Sequence, residues 1–334
     1  MTALSILDLA PVPLGSSPGD ALRRARDLAQ AAERLGYNRY WMAEHHNMTG
    51  IASAATSVAL CYVGANTSRI RIGAGGIMLP NHAPLVIAEQ FGTLEALFPG
   101  RVDLGLGRAP GTDGRTWRAL RRDPEASDRF PQDVLELQAL LGPVQQGQTI
   151  RAVPGADSNV PLWILGSSLF GAQLAAALGL PYAFASHFAP DALLPALRTY
   201  RENFRPSAQL ARPYAMVGCN VIAADTDDEA RRLFTSQQQS FTNMLRNTRG
   251  KLQAPIDDID HYWEPHEKAQ ASRMLTCSFV GSAETVARGL QRFLDQTSAD
   301  ELMVAAAIYD GEARIHSYEV LAEAAASLER KAAA

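Results

Sequence analysis

A carboxylate and two imidazoles stand side by side in the run Glu44-His45-His46. Histidine transfers protons near neutral pH because its ordinary pKa lies close to neutrality. A short apolar strand at 39–42 leads into this run, and a segment with helical periodicity, 20–35, precedes the strand. Such a strand lies parallel to the one before it. We therefore expect these side chains at the carboxyl end of a sheet, where α/β enzymes hold their reacting groups.

A second group of residues could bind an anion. Gly166-Ser167-Ser168 follows a predicted strand and opens directly into a predicted helix. Unpaired backbone N–H groups, the helix dipole and two hydroxyls then converge on one point. An ordinary serine N-cap is the alternative for the serines alone. Arg108, at the end of the preceding predicted strand, can bind phosphate through paired charge-assisted hydrogen bonds, so a phosphate site is favoured.

A third feature is the glycine-rich end of the third predicted strand, 73–76. Without side chains, the backbone at Gly75 and Gly76 can approach a flat ligand closely, although a bulge or bend would also use glycine. Together the three features indicate a slot for a flat, phosphorylated cofactor beside a proton-transfer group. A metal-dependent hydrolase is the rival interpretation, but it would have to assemble its ligands from the scattered residues His45, His46, His187 and Asp310.

The composition excludes several classes of protein. The 334 residues carry a net charge of −4 with no basic stripe, so no nucleic-acid partner is expected. No run of 18 apolar residues is present, and the first residues lack the basic start of a signal peptide, so we expect neither a membrane span nor export. The three cysteines show no metal-ligand spacing. Free thiols in this number fit a cytoplasmic protein.

The periodicity of the chain alternates strand and helix almost throughout, which predicts a (β/α)₈ TIM barrel formed by a single domain over 1–334. An open doubly wound sheet is the alternative, but the first predicted strand is not followed by its usual G-x-G-x-x-G turn. The predicted strands are 5–9, 39–43, 70–75, 102–107, 162–165, 182–185, 214–223 and 301–307. The predicted helices are 20–35, 54–66, 84–98, 128–141, 168–178, 191–204, 227–247, 283–296 and 314–330.

Two insertions exceed what a plain barrel needs. One follows strand four, at 109–127 and 142–161, and the other follows strand seven, at 249–276. The second is polar and contains Pro255, Pro265 and a cluster of acidic residues. Such a composition argues against a packed element. We therefore predict that 249–276 is a mobile cover over the carboxyl end of the barrel.

Short motifs are spread along the chain: AEHHN at 43–47, RIRIG at 69–73, LPNH at 79–82, PGR at 99–101, GLGR at 105–108, GSAETV at 281–286 and DELMV at 300–304. Through these motifs the chain resembles the bacterial luciferase-like flavin monooxygenases over nearly its whole length. The resemblance implies a (β/α)₈ barrel that uses reduced FMN and dioxygen, through a C4a-peroxyflavin, to oxygenate a small organic substrate. A barrel of the same kind that transfers hydride with deazaflavin F420, and a flavin-binding protein without catalysis, remain alternatives.

The resemblance also implies roles for single residues. His45 matches the catalytic histidine, with Glu44 and His46 orienting it. The residues expected to bind the flavin phosphate are Arg108, Gly166, Ser167, Ser168 and Gly171. The pair Gly75-Gly76 corresponds to the family's cis peptide bond beside the flavin ring. Luciferase has a reactive cysteine where this chain has Gly107, so light emission is not expected.

Two protein partners are expected. The sequence contains no nicotinamide-binding motif, so a separate flavin reductase should supply the reduced cofactor. The predicted helix 54–66 carries no charge on any face, which is unusual for an outer barrel helix half in water. A second copy of the chain covering this helix and 84–98 would explain it, and the resemblance implies the same homodimer.

Overall fold

Eight parallel strands close into a barrel in the computed structural model, which describes residues 2–109, 111–326 and 328. The barrel strands follow chain order, and the last pairs with the first. The predicted TIM barrel is therefore confirmed. The barrel strands are Ala3–Asp8 (β1), Arg39–Met42 (β2), Arg71–Met78 (β3), Val102–Gly107 (β4), Leu162–Gly166 (β5), Tyr182–Phe184 (β6), Ala215–Ala223 (β7) and Glu301–Ala305 (β9). A further short strand, Ser278–Gly281 (β8), pairs with the second half of β7.

Helices surround the barrel wherever the periodicity predicted them, with ends that differ by a few residues. The prediction for 314–330 is confirmed as far as Ala325, and Ser327, Glu329 and Arg330 lie outside the described residues. The helices are Pro18–Arg34 (α1), Thr56–Ala65 (α2), Pro84–Leu97 (α3), Gly114–Ala119 (α4), Phe130–Leu141 (α5), Leu169–Leu178 (α6), Leu193–Glu202 (α7), Asp227–Leu245 (α8), Pro265–Met274 (α9), Ala283–Thr297 (α10) and Gly311–Ala325 (α11). None of these helices combines the length and the apolar character that crossing a bilayer requires.

Large side chains fill the barrel interior. Trp41 and Trp163 meet edge to face, with ring centres 5.1 Å apart, inside a buried cluster that includes Met303. Toward the amino ends of the strands, the Arg39 guanidinium, only 12% exposed, pairs with the buried Asp103 at 2.8 Å. In a barrel filled in this way, the carboxyl ends of the strands are where ligands bind. We call this end of the barrel, with the loops that follow the strands, the mouth.

The insertion after β7 differs from the expectation of an unpacked cover. Its backbone at Leu252 donates to Val12 O at 2.9 Å in the loop after β1, so its predicted place at the mouth is confirmed. Its second half, however, is α9, which is held to the end of α8 by an ion pair of 2.7 Å between Arg246 and Glu267. The expectation that 249–276 holds no packed element was wrong, because polar contacts rather than an apolar stripe hold α9 in place. The mobility of the segment stays a prediction.

Candidate active site

Glu44 is the centre of a hydrogen-bonded group at the mouth. Only 1% of its side chain is exposed. Its Oε1 accepts from His46 Nε2 at 2.5 Å and from His82 Nε2 at 2.8 Å, while its Oε2 accepts from the Met78 backbone N–H at 3.1 Å. Burial alone would raise the pKa of Glu44, but these hydrogen bonds outweigh it and hold the pKa at about 2. The same bond to Glu44 raises the pKa of His46. Glu44 is therefore a carboxylate at neutral pH.

Glu44, His46 and His82 could also be considered as metal ligands, since one atom from each lies within 4.8 Å of the others. Two ligands at about 2.0 Å from a tetrahedral zinc ion would stand roughly 3.3 Å apart. The contacts to Glu44 Oε1, at 2.5 and 2.8 Å, are shorter and have the length of charge-assisted hydrogen bonds. The observed arrangement is a hydrogen-bonded cluster.

His45 has a defined tautomer. Its Nδ1 lies 3.2 Å from the carbonyl oxygen of Gly111, in the insertion after β4. A carbonyl only accepts hydrogen bonds, so Nδ1 carries the proton and Nε2 is left with a lone pair. Burial lowers the pKa of His45, and its bond to Gly111 only partly opposes this effect. At neutral pH His45 is thus a neutral imidazole with a proton-accepting Nε2.

The glycines of β3 are required by close packing between strands. The peptide bond between Gly75 and Gly76 is cis, as the resemblance implied. A Cβ on Gly75 would lie 2.7 Å from Leu7 Cδ1, and one on Gly76 would lie 2.6 Å from Gly105 O. Neither position can carry a side chain without movement of its neighbours. The end of β3 therefore presents bare backbone at the mouth.

The start of α6 suits an anion. Ser168 is the N-cap residue, but its side chain makes no capping hydrogen bond and is exposed. The exposed Arg108 places its guanidinium over the ring of Phe170 in the first turn, 4.0 Å from the ring centre. Gly171, also in the first turn, packs against β6, since a Cβ there would lie 3.3 Å from Tyr182 Cε2. A free hydroxyl, uncapped N–H groups and a guanidinium held beside them are the donors that a phosphate group needs, so the residues fit the phosphate of FMN.

Comparison with known proteins agrees with this geometry. The sequence model of the luciferase-like monooxygenases matches residues 2–301.

The chain belongs to this family.

Several relatives extend over the full length. A luciferase-like monooxygenase of Escherichia coli K12 is 56% identical over 319 residues, which are 95% of each chain. The N-acetyl-S-alkylcysteine monooxygenase of Bacillus subtilis is 30% identical over 341 residues, 99% of this chain and 100% of the relative. The crystal structure of apo-MsnO8 has a TM-score of 0.91 at 36% identity, with 99% of this chain and 100% of that chain covered.

More distant structures share the fold alone. The oxygenating constituent of 3,6-diketocamphane monooxygenase from Pseudomonas putida, in complex with FMN, has a TM-score of 0.76 at 16% identity over 99% of each chain. An F420-dependent secondary alcohol dehydrogenase has a TM-score of 0.70 at 16% identity, over 97% of this chain and 98% of that chain. Both cofactors therefore occur on this barrel in other proteins.

Within this luciferase-like monooxygenase, the candidate residues lie in or just after four consecutive barrel strands. His45 and its neighbours follow β2, Gly75-Gly76 lies in β3, Arg108 follows β4, and 166–168 leads from β5 into α6. They share one arc of the mouth, as the sequence predicted, and their individual roles remain predictions.

The sequence predicts no role for three residues that the structure brings to these groups, which are His82, the Gly111 carbonyl and Phe170. It offers His187, which lies near His45, only as one ligand of the rival metal site. His82 stands in the family motif LPNH and His187 comes two residues after a predicted strand, so both carried a signal. No pattern marked Gly111 or Phe170.

Proposed function

We propose that this luciferase-like monooxygenase binds reduced FMN in its mouth and uses dioxygen to oxygenate a small organic substrate. The observation that carries the proposal is Arg108, stacked on Phe170 beside the uncapped start of α6. That arrangement offers a phosphate three kinds of donor at once. This phosphate site lies in the same arc of the mouth as His45, whose imidazole can accept a proton at neutral pH.

Reduced FMN, when bound, supplies the two electrons with which one atom of dioxygen enters the substrate and the other leaves as water. The chain supplies position and proton transfer. Arg108, Ser167, Ser168 and the backbone at Gly166 and Gly171 would hold the phosphate. The bare backbone of Gly75-Gly76 would lie against the flavin ring.

His45 is the group that would accept or return a proton at the reacting atoms, because the Gly111 carbonyl accepts from its Nδ1 and no described residue occupies its Nε2 lone pair. Glu44 and His46 would act on it indirectly. The Glu44 carboxylate is tied to His46, to His82 and to the Met78 backbone, so it fixes the loop on which His45 stands. We assign Glu44 and His46 to positioning.

We also propose a homodimer formed through α2 and α3. Both helices expose large apolar side chains: Val58 is 69% exposed and Leu97 is 56% exposed, and Tyr62 and Val86 are exposed beside them on the same two helices. A second copy of the chain would remove these side chains from water. A separate flavin reductase would deliver reduced FMN to the mouth.

Anaerobic titration tests the choice of cofactor. The wild-type protein is titrated with reduced FMN, reduced riboflavin and reduced F420, and binding is followed by absorbance. The proposal expects FMN to bind more tightly than riboflavin and F420 to bind weakly or not at all. Tight binding of F420 in preference to FMN would instead assign the protein to hydride transfer without oxygen.

The first substrates to test are N-acetyl-S-alkylcysteines. The B. subtilis relative with that activity in its name matches this chain from end to end at 30% identity. Oxygen consumption that depends on such a thioether would support a related substrate. Its absence would leave the flavin proposal intact and direct the search to other compound classes.

A further inference from the structure

His187 has no role in the site described above, although it stands at the mouth. It follows β6, and its main chain is held by β7. Asn220 Nδ2 donates to the His187 carbonyl at 2.7 Å, and the hydroxyl of the preceding Ser186 donates to Gly218 O at 2.5 Å. The ring also packs edge to face on Phe188, with ring centres 5.0 Å apart. The imidazole therefore has a fixed place.

One side of the His187 ring is closed off by β7. A Cβ on Gly218 would lie 2.4 Å from His187 Nδ1 and 3.3 Å from Cε1, so only glycine at 218 leaves room for the ring. Nδ1 is buried and has no hydrogen-bond partner among the described residues. Nδ1 is therefore the ring nitrogen that faces Gly218, and Nε2 is the other nitrogen, across the ring from it.

The surroundings determine which nitrogen carries the proton. An imidazolium ring needs an acceptor at both nitrogens, and the structure offers none at Nδ1. A buried N–H without a partner is costly, so the neutral ring with its hydrogen on Nε2 is favoured. Burial, with nearby His45 as a second cause, lowers the pKa of His187 to about 4. At neutral pH, Nε2 is therefore the ring nitrogen that can donate a hydrogen bond.

His45 and His187 are then complementary. His45 presents a lone pair at Nε2 because Gly111 holds its Nδ1 proton. His187 presents an N–H at Nε2 because Gly218 closes off its Nδ1. The mouth thus carries one acceptor and one donor, each with its tautomer set by the backbone behind it. A ligand that reached both rings would donate a hydrogen bond to His45 and accept one from His187.

We propose that His187 is a second catalytic residue, a neutral imidazole that donates a hydrogen bond from Nε2 to an acceptor atom of the bound flavin ring. The inference rests on the proposed function, because it needs FMN in the mouth. It adds to that function a residue outside the arc formed by β2 to β5. It also explains why β7 has glycine at 218.

The tautomer can be tested without any cofactor. Histidine side chains labelled with ¹⁵N are followed by NMR from pH 8 to pH 5, and the His187 signals are assigned by their loss in His187→Gln. We expect a protonated Nε2 and an unprotonated Nδ1 that do not change over this range. An imidazole that titrates near its ordinary pKa of about 6.5, or one with its proton on Nδ1, would overturn the inference.

The contact with flavin is tested by a matched pair of substitutions. The Gln amide nitrogen reaches roughly the position of Nε2, whereas the Asn amide nitrogen reaches only that of Nδ1. His187→Gln should therefore keep FMN affinity within about twofold of wild type, and His187→Asn should lose roughly 10-fold. In the wild type, FMN should also shift the Nε2 resonance of His187. Equal affinities in both variants, or an unmoved resonance in protein saturated with FMN, would contradict the proposal.

Gly218→Ala provides a test in which His187 itself is unchanged. The added methyl group should displace the ring and weaken FMN binding as much as His187→Asn does, and the double variant should bind no more weakly than either single variant. Gly114→Ala is the control, because nothing lies within 4 Å of a Cβ at that position. Additive losses in the double variant would show that Gly218 acts separately from His187.

If the wild type failed to bind FMN at all, both this inference and the proposed function would be wrong, whereas normal FMN binding with no role for His187 would refute this inference alone.

Discussion

Replacing Glu44 by Gln tests the electrostatics of the candidate site. Gln keeps the size of the side chain but removes its charge, and its amide group cannot accept hydrogen bonds at both ends. Glu44 has a folded-state pKa of about 2 against an ordinary value of 4.5. At about 1.4 kcal/mol for each pKa unit, the ionised carboxylate contributes about 3 kcal/mol to the free energy of unfolding at pH 7. The variant should lose that amount.

The pH dependence of this stability loss distinguishes the effect of the Glu44 charge from the effect of its side-chain shape. Because the folded-state pKa is depressed, the contribution is complete above pH 4.5 and is lost as the pH falls toward 2. The difference between wild type and Glu44→Gln, measured by unfolding in urea, should decline from about 3 kcal/mol at pH 7 to about 1 kcal/mol at pH 2.5. Glu136→Gln, at an exposed position on α5, is the control and should change little at either pH. A loss of equal size at both pH values would refute the reasoning.

Three further predictions concern cofactor, catalysis and assembly. Arg108→Ala should weaken FMN binding by about 10-fold to 100-fold and leave riboflavin binding unchanged. The control Arg212→Ala, in the loop before β7, should change the binding of neither flavin. Equal weakening of both flavins by Arg108→Ala would exclude a phosphate contact. His45→Ala should bind FMN normally but fail to oxygenate substrate, and full turnover would remove His45 from the mechanism. Val58→Asp should convert the dimer to a monomer in light scattering, while Leu194→Asp on α7 should not. A wild-type protein that is already monomeric at micromolar concentration would contradict the dimer.

The barrel could be predicted because its signals are local. Each strand is a short apolar run, and each surrounding helix has a matching apolar face or a recognisable start. The elements that were missed lack this pattern. In α9 the buried residues are Glu267 and Ala271, so no apolar stripe marks it. The four residues of β8 become a strand only by pairing with the second half of β7.

The candidate site shows the same limit in its side chains. The position of His45 could be predicted from the strand that ends just before it. Its tautomer could not, because it depends on the carbonyl of Gly111, 66 residues away. Likewise, the contact of His82 with Glu44 spans 38 residues and forms only because β2 and β3 are neighbours in the barrel. Residue types indicated the chemistry, and the barrel determined the partners.

The central claim is that reduced FMN and dioxygen oxygenate an organic substrate in this mouth. The most direct measurement is a single turnover of the protein loaded anaerobically with reduced FMN. It is mixed with ¹⁸O₂ and a panel of compounds that begins with N-acetyl-S-alkylcysteines, and the products are analysed by mass spectrometry. We expect one ¹⁸O atom in the product of at least one compound, and no such product with free reduced FMN alone. Reoxidation of the flavin at the rate seen without protein, with hydrogen peroxide as the only product across the panel, would contradict the claim.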